Sequence, residues 1–78
     1  MTQNETKQPD FTFLRINQVI TTTGLSRSYI YQLSKSGLFP KAVSLVPGGS
    51  SVAWVASEVD AWVNERITER DQEATNVL

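Results

Sequence analysis

The 78-residue chain contains neither cysteine nor histidine. The absence of cysteine excludes disulfides and thiolate zinc sites, and the absence of histidine removes the commonest general base and metal ligand. No apolar run approaches the roughly 20 residues of a transmembrane helix, and the first ten residues lack a signal-peptide pattern. We therefore expect a single small cytoplasmic domain with no cofactor, no metal and no membrane partner.

Acidic residues are absent from a long part of the chain. Residues 11–56 contain four basic residues and no acid, which gives +4; residues 57–78 contain six acids and two arginines, which gives −4. Residues 1–10 add −1, so the net charge of −1 conceals a basic half and an acidic half. Such a split indicates a docking side for an anionic partner, although a chance distribution in so short a chain stays open. The basic residues of residues 11–56 are Arg15, Arg27, Lys35 and Lys41.

Two short helices are predicted after an initial strand. "FTFLRI", residues 11–16, is rich in bulky apolar residues and predicts a strand. "NQVITTTG" predicts a helix that Asn17 caps and Gly24 ends. "LSRSYIYQLSKSG" predicts a second helix between the N-cap Ser26 and Gly37. Two such helices joined by a tight turn form a helix-turn-helix.

A hairpin and a third helix are predicted to follow. "KAVSLV" and "SVAWVA" are β-rich runs separated by the turn sequence "PGGS". That turn is a better interpretation of the two glycines than a phosphate cradle, since no lysine follows at the required spacing. Ser57 and Asp60 resemble a capping box at the start of the last helix. Trp54 and Trp62 are expected to anchor the core.

The order of elements predicts a mainly α domain with a small β-hairpin, a winged helix-turn-helix over residues 11–69. Residues 1–10 are expected to form a flexible arm and residues 70–78 a frayed tail. In this architecture the second helix, about 26–36, enters the major groove and the hairpin, 42–55, acts as the wing. An enzyme is not expected, because every carboxylate between residues 11 and 71 falls on one predicted helix with no partner base.

The chain resembles the AlpA family of prophage regulators, small proteins with an excisionase-like, MerR-like winged helix-turn-helix. The resemblance rests on "FLRINQV", "TGLSRSYIYQL", "SGLFPKAV" and "SEVDAW", which together span about residues 12–67. It implies a DNA-binding transcriptional regulator of a prophage or genomic island, which promotes integrase expression or element excision in a bacterial cytoplasm. Two departures stand out: Tyr29 replaces a usually smaller residue, and Val55 and Ala56 offer no charge where relatives often carry arginine.

Residues on the outward side of the second helix are the candidate DNA contacts. Arginine can bind a guanine edge or clamp a phosphate, and glutamine can pair with adenine. Lysines typically contact phosphates, which position the protein without reading sequence. The alternative for each is an ordinary solvated helix face. The candidates are Arg27, Ser28, Tyr31, Gln32 and Lys35 on the helix, with Lys41, Ser50 and Ser51 beyond it.

Partners other than double-stranded DNA stay open at this point. The near-neutral charge and uncharged wing also permit a protein-interaction module that binds a regulator or integrase instead of DNA. The acidic last helix is interpreted either as a solvated face or as a surface for a partner protein. Pairing with a second copy would offset the modest affinity that four basic residues allow.

Overall fold

The computed structural model describes residues 11–77, so the predicted arm of residues 1–10 lies outside the described residues. Three helices and a small antiparallel sheet make up the domain, which matches the predicted mainly α architecture and is compatible with a winged helix-turn-helix. The elements are β1 (Phe13–Leu14), α1 (Ile16–Thr23), α2 (Arg27–Ser36), β2 (Val43–Ser44), β3 (Val52–Val55) and α3 (Ala56–Val77).

The predicted hairpin is confirmed, and β1 adds a third strand to it. The sheet has the order β1-β3-β2, with both pairs antiparallel. Val43 lies opposite Ala53 on one side of β3, and Phe13 lies opposite Val55 on the other. The sequence predicted β1 as a strand but did not indicate this pairing. Because β1 pairs with the other edge of β3, the hairpin is continuous with the first strand of the described chain.

The wing turn follows from its proline and glycine. Pro47 and Gly48 occupy the two central positions, and the Gly49 N–H donates to the Val46 carbonyl oxygen at 2.8 Å. Gly48 has φ of 78°. Proline before a glycine of positive φ is the signature of a type II turn. The turn interpretation of "PGGS" is therefore confirmed.

The predicted ends of α2 are confirmed by its hydrogen bonds. The Ser26 Oγ accepts a hydrogen bond from the Tyr29 N–H at 3.2 Å, as an N-cap does. At the other end, Gly37 adopts φ of 85° and its N–H bonds to carbonyls of the last turn. Gly24 ends α1 in the same left-handed conformation, with φ of 78°. Gly24 thus begins the short connection between α1 and α2, and Gly37 begins the segment that leads from α2 to β2.

Replacing Gly37 with alanine is expected to destabilise the domain by about 1–2 kcal/mol, the usual cost of a left-handed conformation for a residue with a Cβ. A Cβ at this position would meet no atom within 4 Å, so the cost is conformational rather than steric. Urea denaturation followed by circular dichroism measures it. Gln32→Ala, on the exposed side of α2, is the control and should leave the midpoint nearly unchanged; equal midpoints for the two variants would contradict the prediction.

The core lies where α1, α2 and α3 pack on the inner side of the sheet. Trp54 is fully buried, which confirms it as a core anchor. Trp62 lies at the edge of the core, half-buried, with its ring 4.9 Å from the Phe39 ring in an edge-on arrangement. The buried cluster consists of Val19, Ile30, Phe39, Trp54 and Val59.

Two predicted helix caps were wrong. The N-cap of α1 is Arg15 rather than Asn17, because the Gln18 side chain reaches back to accept a hydrogen bond from the Arg15 N–H at 2.9 Å. Helix α3 begins at Ala56 rather than after Ser57, because β3 runs into it without a loop. The Ala56 N–H instead bonds to the Thr12 carbonyl oxygen at 2.8 Å. Both helix starts are therefore set by neighbouring elements rather than by the best local capping residue.

Helix α3 continues to Val77, past residue 69 where the sequence predicted the domain to end and a frayed tail to begin. Glutamate, glutamine, arginine and alanine in this stretch are good helix formers, so the helix persists after its apolar spacing is lost. Val59 is fully buried, but Ile67, two turns further on, is 43% exposed. Packing against the rest of the domain thus involves only the first turns of α3.

Candidate nucleic-acid interface

The outward face of α2 carries all five of its predicted contact residues. Ile30 and Ser34 are buried on the opposite side of the helix, which fixes the rotation of α2 about its axis. With 3.6 residues per turn, that rotation leaves polar side chains in two consecutive turns pointing away from the core. The exposed residues on this face are Arg27, Ser28, Tyr31, Gln32 and Lys35.

Arg27 is held in place by the preceding helix. Its Nη2 donates a hydrogen bond to the Oδ1 of Asn17 at 3.3 Å, although ten residues separate the two in sequence. Both side chains are exposed, so the remaining donors of the guanidinium stay accessible. Asn17 was predicted as a helix cap; the structure shows it supporting the first residue of the candidate reading helix.

Tyr31 links the candidate reading helix to the wing. Its ring lies 5.5 Å from the Trp54 ring, edge-on at 62°, while 42% of Tyr31 remains exposed. An edge-on pair of this kind adds stability beyond the area it buries. Tyr31 therefore has a packing role beside its predicted role in DNA contact, and it connects α2 with β3.

A buried hydrogen-bond network fixes the end of α2 against the sheet. The Pro40 carbonyl oxygen accepts hydrogen bonds from the Ser34 Oγ at 2.9 Å and from the Trp54 Nε1–H at 3.0 Å. Ser34 is only 7% exposed, so this network satisfies a polar group inside the core. The sequence analysis missed Ser34; its position on the apolar side of α2, four residues after Ile30, was the available signal.

Lys41 is engaged at the C-terminus of α2. Its Nζ donates a hydrogen bond to the Ser34 carbonyl oxygen at 2.9 Å. A cation at this end of a helix is stabilised by the helix dipole, and here it adds to the longer bond of 3.3 Å that the same carbonyl accepts from the Gly37 N–H. The structure therefore gives Lys41 a local role in addition to the predicted phosphate contact, whereas Lys35 is fully available on the exposed face.

The wing offers polar groups but no charge. Ser50 is exposed, and Ser51 is half-buried, with its carbonyl oxygen accepting from the Leu45 N–H at 2.9 Å. Both hydroxyls lie just after the type II turn. Between residues 42 and 56 the chain has no ionisable side chain. Any contact of the wing with an anion would therefore depend on hydroxyls and backbone N–H groups.

Within residues 11–77, all six acidic residues lie on α3. Arg66 pairs with Glu69 at 2.8 Å, and Arg70 pairs with Asp71 at 2.9 Å. Within residues 11–77, no cluster of three acidic side chains could hold a metal ion. None of the helices in the same range is both long and apolar enough to cross a membrane. Within the described residues, the exposed face of α2, with its basic and polar side chains, is therefore the candidate nucleic-acid interface.

Comparison with known proteins identifies the family. Residues 12–67 match the model of the prophage CP4-57 regulatory protein (AlpA) family. The chain is also 52% identical over 65 residues to an uncharacterized protein, ORF88, of Enterobacteria phage P4, a similarity that covers 80% of this chain and 72% of the phage protein. No solved structure matches the chain significantly. The family match covers every element from β1 to the middle of α3, and the chain therefore belongs to the AlpA family of prophage regulatory proteins.

Proposed function

We propose that this chain is a sequence-specific DNA-binding regulator in which α2 occupies the major groove and the hairpin lies over the adjacent backbone. The observation that supports this proposal is the face of α2, where two turns of exposed polar and basic side chains stand on a helix anchored by Ile30, Ser34 and the Trp54 network. An exposed helix of this size fits the major groove, whose base edges carry a distinct hydrogen-bond pattern for each base pair.

The chemistry of these side chains divides them into contacts to bases and contacts to phosphates. Arg27 would contact a guanine edge with the donors that Asn17 leaves free, and Gln32 would pair with adenine. Ser28 can donate to a base or a phosphate, and Tyr31 reaches a phosphate or a thymine methyl group. Lys35, Lys41 and the hydroxyls of Ser50 and Ser51 would contact phosphates.

The biological role proposed here follows the family. A prophage regulator that binds DNA would act on a promoter or attachment site of its element, promoting integrase expression or excision in the bacterial cytoplasm. The similarity to a phage P4 protein supports a mobile element as the setting. A regulatory role fits the family.

Binding-site selection from a randomised duplex pool, followed by titration of the selected duplex against a scrambled one, tests the proposal. We expect a defined motif and tighter binding to it. With four cations in residues 11–56, one bound copy should give a slope of log affinity against log salt no steeper than about −3.6. A slope steeper than about −6.3, the limit for all seven lysines and arginines of one chain, would mean that more than one copy binds. Failure to enrich a motif, together with no detectable binding of DNA at low salt, would contradict DNA binding and favour the protein-interaction module.

A further inference from the structure

A groove on a second side of the molecule shares only Lys41 with the proposed DNA contacts. It runs between the segment 37–43, which joins α2 to β2, and the first turns of α3. We call it the Leu38 groove, because Leu38 lies within it and is 66% exposed, the most exposed large aliphatic side chain of the described chain. Its volume is about 680 Å³ and it is open along its length, which suits an extended or helical peptide better than an enclosed small molecule. It is lined by Gly37, Leu38, Phe39, Pro40, Lys41, Ala42, Val43, Glu58, Ala61, Trp62 and Glu65.

The charge of the Leu38 groove lining is negative, because Glu58 and Glu65 outnumber the single cation Lys41. Neither carboxylate forms an ion pair with any residue in the described part of the chain. The Lys41 ammonium is directed to the Ser34 carbonyl oxygen, and Arg66 pairs with Glu69. Arg66 also lies 5.5 Å from the centre of the Trp62 ring. A ligand entering the groove thus meets an apolar floor and two carboxylates without an ion-pair partner in the described chain.

The Leu38 groove and the exposed face of α2 are separate surfaces. None of the five contact residues of α2 lines the groove, and Lys41 is the one proposed DNA contact that does. A neighbouring depression, which shares Leu38 and Trp62 with the groove, touches α2 only through Tyr29 and Leu33. At 100° per residue these two lie on a different side of α2 from Tyr31 and Lys35. A partner in the groove would leave the exposed face of α2 uncovered.

We propose that the Leu38 groove binds a basic amphipathic segment of a different protein, with an apolar side chain against Leu38 and Trp62 and lysine or arginine beside Glu58 and Glu65. A second copy of this chain fits less well. Among residues 11–56 its exposed cations include Arg27 and Lys35, so placing them in the groove would withdraw them from DNA. The preference for a different protein over a second copy thus rests on the proposed DNA contacts, whereas the apolar lining and the two carboxylates do not depend on them.

A peptide titration tests this proposal. The probe is a 12-residue helical peptide with leucines along one face and lysines elsewhere, and the readout is the amide NMR spectrum of the full chain. We expect shifts confined to the groove, notably at the Trp62 indole N–H, which donates to the Leu38 carbonyl oxygen at 2.8 Å. The double variant Glu58→Lys, Glu65→Lys should bind the peptide roughly tenfold more weakly. Leu38→Ala, which truncates the exposed leucine, should weaken peptide binding by a similar factor.

The matched control is Asp60→Lys combined with Glu73→Lys, which changes the net charge equally on exposed positions of α3 outside the groove. Its affinity for the peptide should stay within about twofold of wild type. A second control peptide carries glutamate in place of lysine and should produce no shifts in the groove. Each variant is also titrated with DNA, which keeps failure of this proposal distinct from failure of DNA binding.

Three results would overturn the proposal. The first is an absence of shifts in the groove, and the second is equal loss of affinity in the two double variants. The third is concentration-dependent shifts of the groove residues without peptide, which would show that a second copy is the occupant.

Discussion

Trp54→Ala is expected to remove a large part of the stability of the domain. Trp54 is fully buried, packs against Tyr31 and donates its indole N–H to the Pro40 carbonyl oxygen. Truncating a buried tryptophan costs about 3–5 kcal/mol. A chain of 78 residues has a total stability of roughly 4–12 kcal/mol, so the expected loss is at least about a quarter of it. Urea denaturation monitored by far-ultraviolet circular dichroism measures the effect without relying on tryptophan fluorescence.

Trp54→Phe is the matched variant for this prediction. It keeps an aromatic ring in the core and removes the indole N–H, while the Pro40 carbonyl oxygen still accepts from the Ser34 Oγ. Because no buried carbonyl is left without a donor, the expected loss is about 1–2 kcal/mol and the variant should remain folded. An unchanged denaturation midpoint for Trp54→Ala would show that the core does not depend on this side chain.

Arg27→Ala is expected to give the largest loss of sequence-specific DNA binding. A bidentate arginine–guanine pair contributes about 1–3 kcal/mol of discrimination, which corresponds to roughly 5- to 150-fold in affinity for the selected duplex. If Arg27 contacts a base, affinity for scrambled DNA should change far less. A uniform loss on both duplexes, with the salt slope reduced by about 0.9, would instead identify a phosphate contact. Fluorescence anisotropy on the two duplexes separates these outcomes.

Two further variants test whether the position of Arg27 on α2, rather than its charge alone, determines DNA binding. Asn17→Ala removes the acceptor that holds the Arg27 guanidinium. It should therefore weaken specific binding less than Arg27→Ala does, and the discrimination that is lost should be at the same base pair. Arg70→Ala removes the same charge from the exposed surface of α3 and should leave DNA binding unchanged. An equal loss of affinity in Arg70→Ala would show that overall charge, rather than α2, controls binding.

Most of the fold follows from local sequence signals. Ser26 and Gly37 define α2 because a hydroxyl can satisfy a free N–H at a helix start and glycine tolerates the left-handed conformation after its end. The Pro47–Gly48 turn and the flanking β-rich runs define the wing in the same way. The predicted caps Asn17 and Ser57 failed because contacts from Gln18 and Thr12 determine where those helices begin.

The sequence predicted which residues form the candidate site, but it did not predict the contacts that hold their side chains in place. Helical periodicity alone places Lys35 on the outward side of α2, with Arg27 and Gln32 flanking that side, and the structure shows all three exposed. The contact of Asn17 with Arg27 and that of Tyr31 with Trp54 join residues far apart in the chain. No periodicity encodes such pairs, because they arise only when separate elements pack together.

Sequence alone therefore determined the order of elements, the ends of α2, the wing turn and the separation of the basic half from the acidic half. Each depends on a residue's own conformational preference or on its spacing along one element. The tertiary structure alone decided the pairing of β1 with β3, the Ser34–Pro40–Trp54 network, the engagement of Lys41, and the Leu38 groove that brings Glu58 and Glu65 beside an exposed leucine. These features depend on the distances between elements, and those distances are set by the packing of the whole core.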